Sequence, residues 1–361
     1  MIYAFFLAIT LLVGCFRVTS LELINALQER SLYVEGVEGD FLFSRNDEMI
    51  SMHYYHMGQY EKPFKDLLLY YINEYINDDK KVIFIDIGAN VGLYTIPVAK
   101  ALGIDGGTVY AIEPQRQMFM YLQTNILLNK LDNVLTFNFA ITNVTGYTQL
   151  DDVESSTKRN YGAYSISSLK GSTYTIPTYT LDHLLENKLI KCPNFMKIDI
   201  ESMEPYVFMG GRNAILECKP ILLVENNCKF LSKTLIVMLD NLGYTVAWIR
   251  LPTIDFQTVR NLDGMKETFE SSFGAELVVG DANILAVPKK NQHLLDKFPE
   301  YLIKLENGKF YSDEYNNNIC LGTHWCKPLK QRGVYNETTG EYKCGNEIIP
   351  QFTRDYWMRY E

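Results

Sequence analysis

The chain has 361 residues, of which 47% are hydrophobic and 21% are charged. This composition excludes an intrinsically disordered protein and suffices for one large folded domain with flanking segments. The formal net charge of -9 at pH 7 argues against a broad phosphate-binding surface, so nucleic acid is not an expected partner.

The chain begins with an almost unbroken apolar run from Ile2 to Phe16, ahead of the first charged side chain, Arg17. Crossing about 30 Å of hydrocarbon takes about 20 residues, so this run is short for a membrane span. We interpret residues 1–20 as a signal peptide or, alternatively, a membrane anchor that associates through residues 2–16. Either predicts a secretory or membrane-associated protein, whereas a buried N-terminal helix would predict a cytoplasmic one.

Residues 21–78 are predicted to lead into the main domain. Residues 64–76 have the spacing of an amphipathic helix, which we expect to cap the central sheet. Its apolar side is formed by Phe64, Leu67, Leu68, Tyr71, Ile72 and Tyr75.

From Lys81 onward, short apolar runs alternate with helical stretches, a pattern typical of βαβ units and a parallel sheet. The predicted strands are 82–87, 108–112, 134–139, 194–199, 220–225, 244–249 and 283–287. The predicted helices are 93–102, 115–129, 180–187, 203–216 and 231–242. We therefore expect an α/β fold with a seven-stranded, mostly parallel sheet and helices on both faces.

The first predicted strand carries Asp86 near its end and is followed by the turn Gly88-Ala89-Asn90-Val91-Gly92. Glycine at positions 88 and 92 permits a tight turn and a close approach of a ligand to the backbone. The helix that follows offers unpaired N–H groups to a polar or anionic group. A dinucleotide fingerprint has the spacing G-x-G-x-x-G, whereas this turn has G-x-x-x-G, so the pattern favours a different nucleotide-type cofactor.

The second predicted strand ends at Glu113, 21 residues after Gly92. In a right-handed parallel sheet this carboxylate lies beside the first turn, where it can accept both hydroxyls of a ribose. The candidate cofactor-binding residues are Asp86, Gly88, Asn90, Gly92 and Glu113.

Two insertions interrupt the alternating pattern. Residues 143–179 are rich in Ser, Thr and Tyr and predict β structure, and a second insertion covers about 251–282. Loops at the carboxyl ends of strands carry substrate-binding elements in α/β folds, so both insertions could shape a ligand pocket. They could equally be peripheral.

Residues 291–361 form a cysteine-containing C-terminal extension. The spacing of Cys320, Cys326 and Cys344 favours a disulfide over a zinc site. The sequons at Asn143 and Asn336 would accept glycans if the chain enters a eukaryotic secretory pathway.

These features resemble the FkbM family of S-adenosylmethionine-dependent methyltransferases, many of which methylate hydroxyl groups. The resemblance covers about residues 58–288. It rests on five motifs in order, which are Phe84 to Gly92, Tyr110 to Pro114, Asn125 to Asn129, Lys197 to Glu201 and Asn283 to Pro288. The family usually has Gly where this chain has Ser202, and an acidic residue near Asn143.

The resemblance implies a Rossmann-like class I methyltransferase fold over residues 79–290, with S-adenosyl-L-methionine as the cofactor. It further implies O-methylation of a hydroxyl on a glycan or small metabolite. A catalytically inactive cofactor-binding or glycan-binding module of the same fold is the alternative. Tyr60 and Glu61 match the family's entry segment and are thereby candidates for lining the acceptor pocket.

The fourth predicted strand ends at Asp199, which we expect near the transferred methyl group. Methyl transfer needs alignment of the acceptor oxygen and removal of its proton. Asp199 is the first candidate for the base, with Glu201 or Glu204 orienting it, although Lys197 could instead pair with one of these acids. Because an ordinary carboxylate is a weak base for an alcohol, we expect burial or a neighbouring acid to raise the pKa of the base.

Metal binding is the alternative role for acidic residues in this region. Asp199, Glu201 and Glu225 offer hard oxygen ligands to Mg²⁺ or Ca²⁺. Their spacing does not require an ion, so the sequence assigns no metal.

Overall fold

The computed structural model describes residues 29–47, 50–76, 81–151, 173–226, 229–249, 260–261, 264, 283–299 and 302–305, with three further short strands between 333 and 349. The predicted signal peptide or anchor, most of the second insertion, the Asn336 sequon and the C-terminal cysteine pairing lie outside the described residues. Within the described part, no helix combines the length and apolarity needed to cross a membrane.

The strands of the main domain and its lead-in are numbered along the chain. They are β1 Ser31–Val34, β2 Phe41–Ser44, β3 Val82–Ile87, β4 Gly107–Ile112, β5 Val134–Phe137, β6 Ala140–Ile141, β7 Gly146–Asp151, β8 Thr173–Tyr179, β9 Phe195–Ile198, β10 Ile221–Glu225, β11 Tyr244–Ile249, β12 Asn283–Pro288 and β13 Leu302–Lys304. A separate three-stranded sheet follows, made of β14 Gly333–Tyr335, β15 Tyr342–Cys344 and β16 Glu347–Ile349.

The helices are numbered in the same way. They are α1 Ile50–Met57, α2 Lys62–Ile76, α3 Thr95–Gly106, α4 Arg116–Leu128, α5 Leu181–Glu186, α6 Glu204–Gly210, α7 Arg212–Cys218 and α8 Lys229–Asn241, with a 3₁₀ helix at Lys289–Lys297.

The main sheet has the order β13-β11-β12-β10-β9-β3-β4-β5. The pairs from β5 to β10 are parallel, whereas β12 is antiparallel to both β10 and β11. All seven predicted strands are present, which confirms the mostly parallel α/β sheet. The short strand β13, antiparallel to β11, adds an eighth that the sequence did not predict.

Alternate side chains of β3 pack on opposite faces of this sheet. Ile85 and Ile87 belong to a core with apolar residues of α5, α6, α7 and α8. Val82 and Phe84 belong to a second core with α2 and α3. Helices therefore cover both faces, and α2 packs on the sheet as predicted.

The prediction of a single helix over residues 203–216 was wrong. Two helices, α6 and α7, occupy this region and are separated at Gly211. The reason lies in close packing at two adjacent glycines. A Cβ at Gly210 would lie 2.3 Å from the carbonyl oxygen of Thr142, and one at Gly211 would lie 2.9 Å from Leu181 Cβ. These close contacts with neighbouring segments interrupt the helix at the two glycines.

The lead-in contains more than the predicted helix, because β1 and β2 form an antiparallel hairpin and α1 follows it. The fully buried amide of Asn125 fastens this hairpin to the main domain. Its Oδ1 accepts from the Leu42 N–H at 2.7 Å, and its Nδ2 donates to the carbonyls of Leu42 at 3.1 Å and Val91 at 2.9 Å.

The first insertion is β structure in its described parts, as predicted. Strands β6, β8 and β7 form a small sheet in that order, and residues 152–172 lie outside the described range.

A disulfide joins Cys192 to Cys218, with Cα atoms 5.4 Å apart. The sequence analysis did not pair these two residues. The bridge spans 26 positions of the chain, a segment that includes β9, α6 and α7.

Candidate functional site

A cleft opens at the carboxyl ends of β3, β4, β9 and β10. It encloses about 1040 Å³ of space, a volume that includes solvent at its open mouth. In open α/β sheets, ligands bind in such a crevice at the carboxyl ends of the strands.

The turn after β3 forms one wall of the cleft through Gly88 and Asn90. Gly88 has φ +81°, and a Cβ there would lie 1.8 Å from the carbonyl oxygen of Asp199, so only glycine fits. Asn90 has φ +51°, and its Oδ1 accepts from the Val91 N–H at 2.8 Å, a local bond that suits Asn to the left-handed conformation. Gly92 does not line the cleft, because it packs behind the turn near Leu122.

Glu113 lies at the end of β4 and lines the same cleft. It is 5% exposed, and its two carboxylate oxygens accept from the backbone N–H groups of Asn90 and Gln115, each at 2.7 Å. Burial raises the pKa of Glu113 to about 7, although both backbone hydrogen bonds act in the opposite direction. The predicted proximity of this carboxylate to the glycine-rich turn is therefore a direct contact.

Asp86 is fully buried beneath the turn and does not line the cleft. Its Oδ2 accepts from the Thr95 hydroxyl at 2.6 Å, and its Oδ1 lies 3.9 Å from Lys197 Nζ. Burial raises the pKa of Asp86, against the lowering effect of Lys197. In this position Asp86 fixes the start of α3 and the Lys197 side chain.

Lys197 connects the glycine-rich turn to Asp199. Its Nζ lies 2.9 Å from Asp199 Oδ2 and 3.4 Å from the Gly88 carbonyl oxygen. Burial lowers the pKa of Lys197, but the carboxylates of Asp199 and Asp86 outweigh this effect and raise it above the ordinary value. The structure thus shows the ion pair between Lys197 and a nearby acid that the sequence analysis considered.

The other two predicted catalytic acids occupy different positions. Glu201 lines the cleft together with Asp199, whereas Glu204 is 3% exposed and does not line it. Glu204 Oε1 instead accepts from the backbone N–H groups of Ile200 at 3.1 Å and Ser202 at 3.2 Å. Burial raises the pKa of Glu204 to about 8. Glu204 therefore supports the backbone after Asp199 rather than its side chain.

Three carboxylates in the cleft could hold a metal ion. Asp199, Glu201 and Glu225 each offer an oxygen, and these atoms lie within 4.8 Å of one another. Oxygen ligands of this kind suit Mg²⁺ or Ca²⁺.

The lead-in supplies the facing wall, which includes Tyr60 and Glu61. Glu61 Oε2 accepts from the hydroxyl of Tyr94 at 2.8 Å, and both residues are buried. Tyr94 also lines the cleft but was not singled out from the sequence, where it reads as an ordinary apolar residue at the start of a helix.

Comparisons with known proteins agree with this architecture. Residues 86–246 match the model of the methyltransferase FkbM domain. Comparison with curated proteins gives no significant match.

Several solved structures are similar at low identity. One is the methyltransferase FkbM from Methylobacillus flagellatus, with 17% identity and a TM-score of 0.36 over 57% of this chain and 43% of that one. Another is the O-methyltransferase from Bacillus cereus in complex with SAH, with 15% identity and a TM-score of 0.35 over 62% of this chain and 80% of that one. A third is the precorrin-6y C5,15-methyltransferase from Geobacter metallireducens, with 11% identity and a TM-score of 0.33 over 58% of this chain and 80% of that one.

The chain spans less than half the length of the Methylobacillus protein. The family model is the finding that assigns the domain, and its match begins at Asp86, just before the glycine-rich turn, and includes Glu113 and Asp199. Over residues 86–246, the chain is therefore a methyltransferase domain of the FkbM family.

Proposed function

We propose that the protein is an S-adenosylmethionine-dependent methyltransferase that acts on a hydroxyl group of a glycan or small metabolite. The observation that carries this proposal is the contact between the Glu113 carboxylate and the Asn90 N–H inside one cleft. It joins a ribose-accepting carboxylate to the glycine-rich turn in a single site.

The residues of the cleft fit this cofactor. Glu113 offers carboxylate oxygens to the ribose hydroxyls, and the turn at Gly88 presents backbone without an intervening side chain. Phe139, Ile141 and Leu150 give the cleft an apolar wall that suits a purine ring.

We assign Asp199 as the general base at the end of the cleft where the methyl group is transferred. When bound, the cofactor supplies an electrophilic methyl group on a sulfonium. The Asp199 carboxylate would take the proton of the acceptor hydroxyl as the hydroxyl oxygen bonds to the methyl carbon and the carbon–sulfur bond breaks, which leaves a neutral thioether. Lys197 holds this carboxylate at 2.9 Å, and Glu204 fixes the backbone that follows it, so Asp199 needs little rearrangement during the reaction.

Calorimetric titration with S-adenosylmethionine and with NAD tests the cofactor assignment. We expect the protein to bind S-adenosylmethionine and not NAD. The Glu113→Gln variant should bind S-adenosylmethionine at least about tenfold more weakly, because the loss of one charged hydrogen bond costs about 1.5 kcal/mol or more. A Glu186→Gln variant, altered on an exposed residue of α5, is the matched control. Binding of NAD without S-adenosylmethionine would overturn the proposal.

Transfer of a radiolabelled methyl group to a panel of hydroxyl compounds tests the chemistry. Asp199→Asn should keep the dissociation constant of the cofactor within about twofold and lower turnover by about 100-fold or more, the usual contribution of general base catalysis. Full turnover in this variant would remove Asp199 from the reaction. Cofactor binding without transfer to any acceptor would favour the inactive binding module.

We also propose a secretory or membrane-associated location. Its support is the Cys192–Cys218 disulfide, because disulfides persist in oxidising compartments and are rare in the cytosol.

A further inference from the structure

We infer that Gln115 is a further cofactor-binding residue, which donates a hydrogen bond to ring nitrogen N3 of the adenine and is oriented for this contact by Tyr174 of β8. This inference rests on the proposed function and concerns the base-binding part of the same site.

Gln115 lies directly beside the carboxylate assigned to the ribose. Its backbone N–H donates to Glu113 Oε1 at 2.7 Å. The residue is only 5% exposed, and it lines the cleft. Because the base is attached to the ribose, a side chain next to the ribose carboxylate is well placed to contact the base.

Tyr174 fixes the orientation of the Gln115 amide. The Tyr174 hydroxyl accepts from the backbone N–H of Arg116 at 2.8 Å. Its own proton has two neighbouring acceptors, Gln115 Oε1 at 3.0 Å and the Pro114 carbonyl oxygen at 3.4 Å, and the nearer oxygen gives the stronger hydrogen bond. The amide oxygen of Gln115 is thereby occupied, which leaves Nε2 as the group that this side chain can offer to a ligand.

The amide nitrogen of Gln115 is the donor that lacks a partner. Among the described residues, no group hydrogen-bonds to Gln115 Nε2. A buried polar group without a partner is costly, so a ligand that brings an acceptor to this nitrogen is favoured. An amide nitrogen only donates, and the ligand atom that meets it must therefore be an acceptor.

Adenine offers suitable acceptors in its ring nitrogens. N3 and N7 lie on opposite edges of the base, and N3 is on the edge nearer to the ribose oxygens. Since Gln115 adjoins the ribose carboxylate, we assign its amide to N3 rather than to N7. The apolar wall of the cleft then contacts the faces of the ring.

The first insertion holds Tyr174 against the loop that follows β4. Tyr174 is paired with Leu150 in the register of β8 and β7, and Leu150 lines the cleft. From β5, the amide of Asn138 donates to the carbonyl oxygens of Glu113 at 2.9 Å and Pro114 at 3.1 Å. Hydrogen bonds from two neighbouring segments therefore hold this loop in place before the cofactor binds, which lowers the cost of ordering it.

Calorimetric titration with S-adenosylhomocysteine, the product form of the cofactor, and with its 3-deaza and 7-deaza analogues tests the inference. Each analogue replaces one ring nitrogen by C–H. We expect the wild type to bind the 3-deaza compound about tenfold more weakly than the parent compound, and the 7-deaza compound within about twofold of it. This comparison needs no variant protein.

Two variants assign the effect to residues. Gln115→Leu should bind the parent compound about tenfold more weakly and show no further loss for the 3-deaza compound, because the contact is already absent. Tyr174→Phe removes only the hydroxyl and should reduce the ratio between the two affinities, a ratio that a merely structural role would leave unchanged. Glu186→Gln should alter neither affinity.

The outcomes separate the inference from the proposed function. Equal affinity of the wild type for the parent and 3-deaza compounds would overturn the inference, as would a 3-deaza penalty that persists in full in Gln115→Leu. A full penalty in Tyr174→Phe would remove Tyr174 from its positioning role. Failure of the wild type to bind either S-adenosylmethionine or the parent compound would overturn the proposed function with it.

Discussion

The backbone after Asp199 adopts a conformation that its side chains disfavour. Glu201 has φ +55° and Ser202 has φ +72°, although neither residue is glycine. The resemblance to the FkbM family implies Gly at this position, where glycine would adopt the same backbone without a Cβ penalty, and this chain has Ser202 instead. The substitution therefore preserves the turn at an energetic cost rather than abolishing it.

A comparison of two variants at position 202 measures this cost. Ser202→Gly and Ser202→Ala both remove the hydroxyl, but only alanine retains a Cβ in the left-handed region. We expect the glycine variant to have the higher free energy of unfolding, by about 1 kcal/mol, in chemical denaturation. Thr124, exposed within α4, is the control position, where alanine should instead be more stable than glycine by about 1 kcal/mol. The same order at both positions would contradict the left-handed conformation.

The places of the candidate site residues in the fold were predicted best for residues at the end of a strand. The ends of β3, β4 and β9 bring Gly88, Glu113 and Asp199 into one cleft, as expected from a parallel sheet. The sequence did not indicate that Asp86 is covered by the turn it precedes, because that depends on packing against Thr95 and Lys197.

At the level of elements, apolar runs and glycine-rich turns predicted the central strands because each buried strand is continuous in sequence. The β1–β2 hairpin was missed, since its stability depends on distant partners, such as Asn125 of α4, that local pattern does not reveal. The division between α6 and α7 was missed for a related reason, the contact of Gly210 with Thr142.

The first turn of α6 makes stability depend on pH through Glu204. Because its pKa is raised to about 8, the folded protein binds a proton there that the unfolded chain releases near pH 4.5. More protons on the folded state mean that the free energy of unfolding falls as pH rises from about 4.5 to about 8.

Glu204→Gln removes this titration while it keeps an oxygen for the N–H groups of Ile200 and Ser202. We measure the free energy of unfolding by urea denaturation at pH 5 and at pH 8. Between these two pH values, the free energy of unfolding of the wild type should fall by at least about 1 kcal/mol more than that of the variant. Glu113 retains its own raised pKa in both proteins, so the difference between them reports on Glu204. Parallel pH profiles for the two proteins would show that Glu204 is ionised in the folded state.

Across the whole molecule, the Cys192–Cys218 disulfide encloses the segment that carries Lys197, Asp199 and Glu201. It joins the residues that precede β9 to the end of α7, just before β10. Two strands that deliver acids to the cleft are thereby tied together near their starts, far from the reacting end.

Removal of this bridge should destabilise the fold and leave the site chemistry intact. Closure of a loop of 26 positions contributes about 3.5 kcal/mol in the chain-entropy model, so Cys192→Ser combined with Cys218→Ser should lower the free energy of unfolding by about that amount. Below the melting transition, affinity for S-adenosylmethionine should be unchanged. Dithiothreitol should destabilise the wild type to the level of the double variant and leave that variant unaffected. Equal stability of the oxidised and reduced wild type would show that the bridge contributes nothing, and would remove the support it gives to an oxidising compartment.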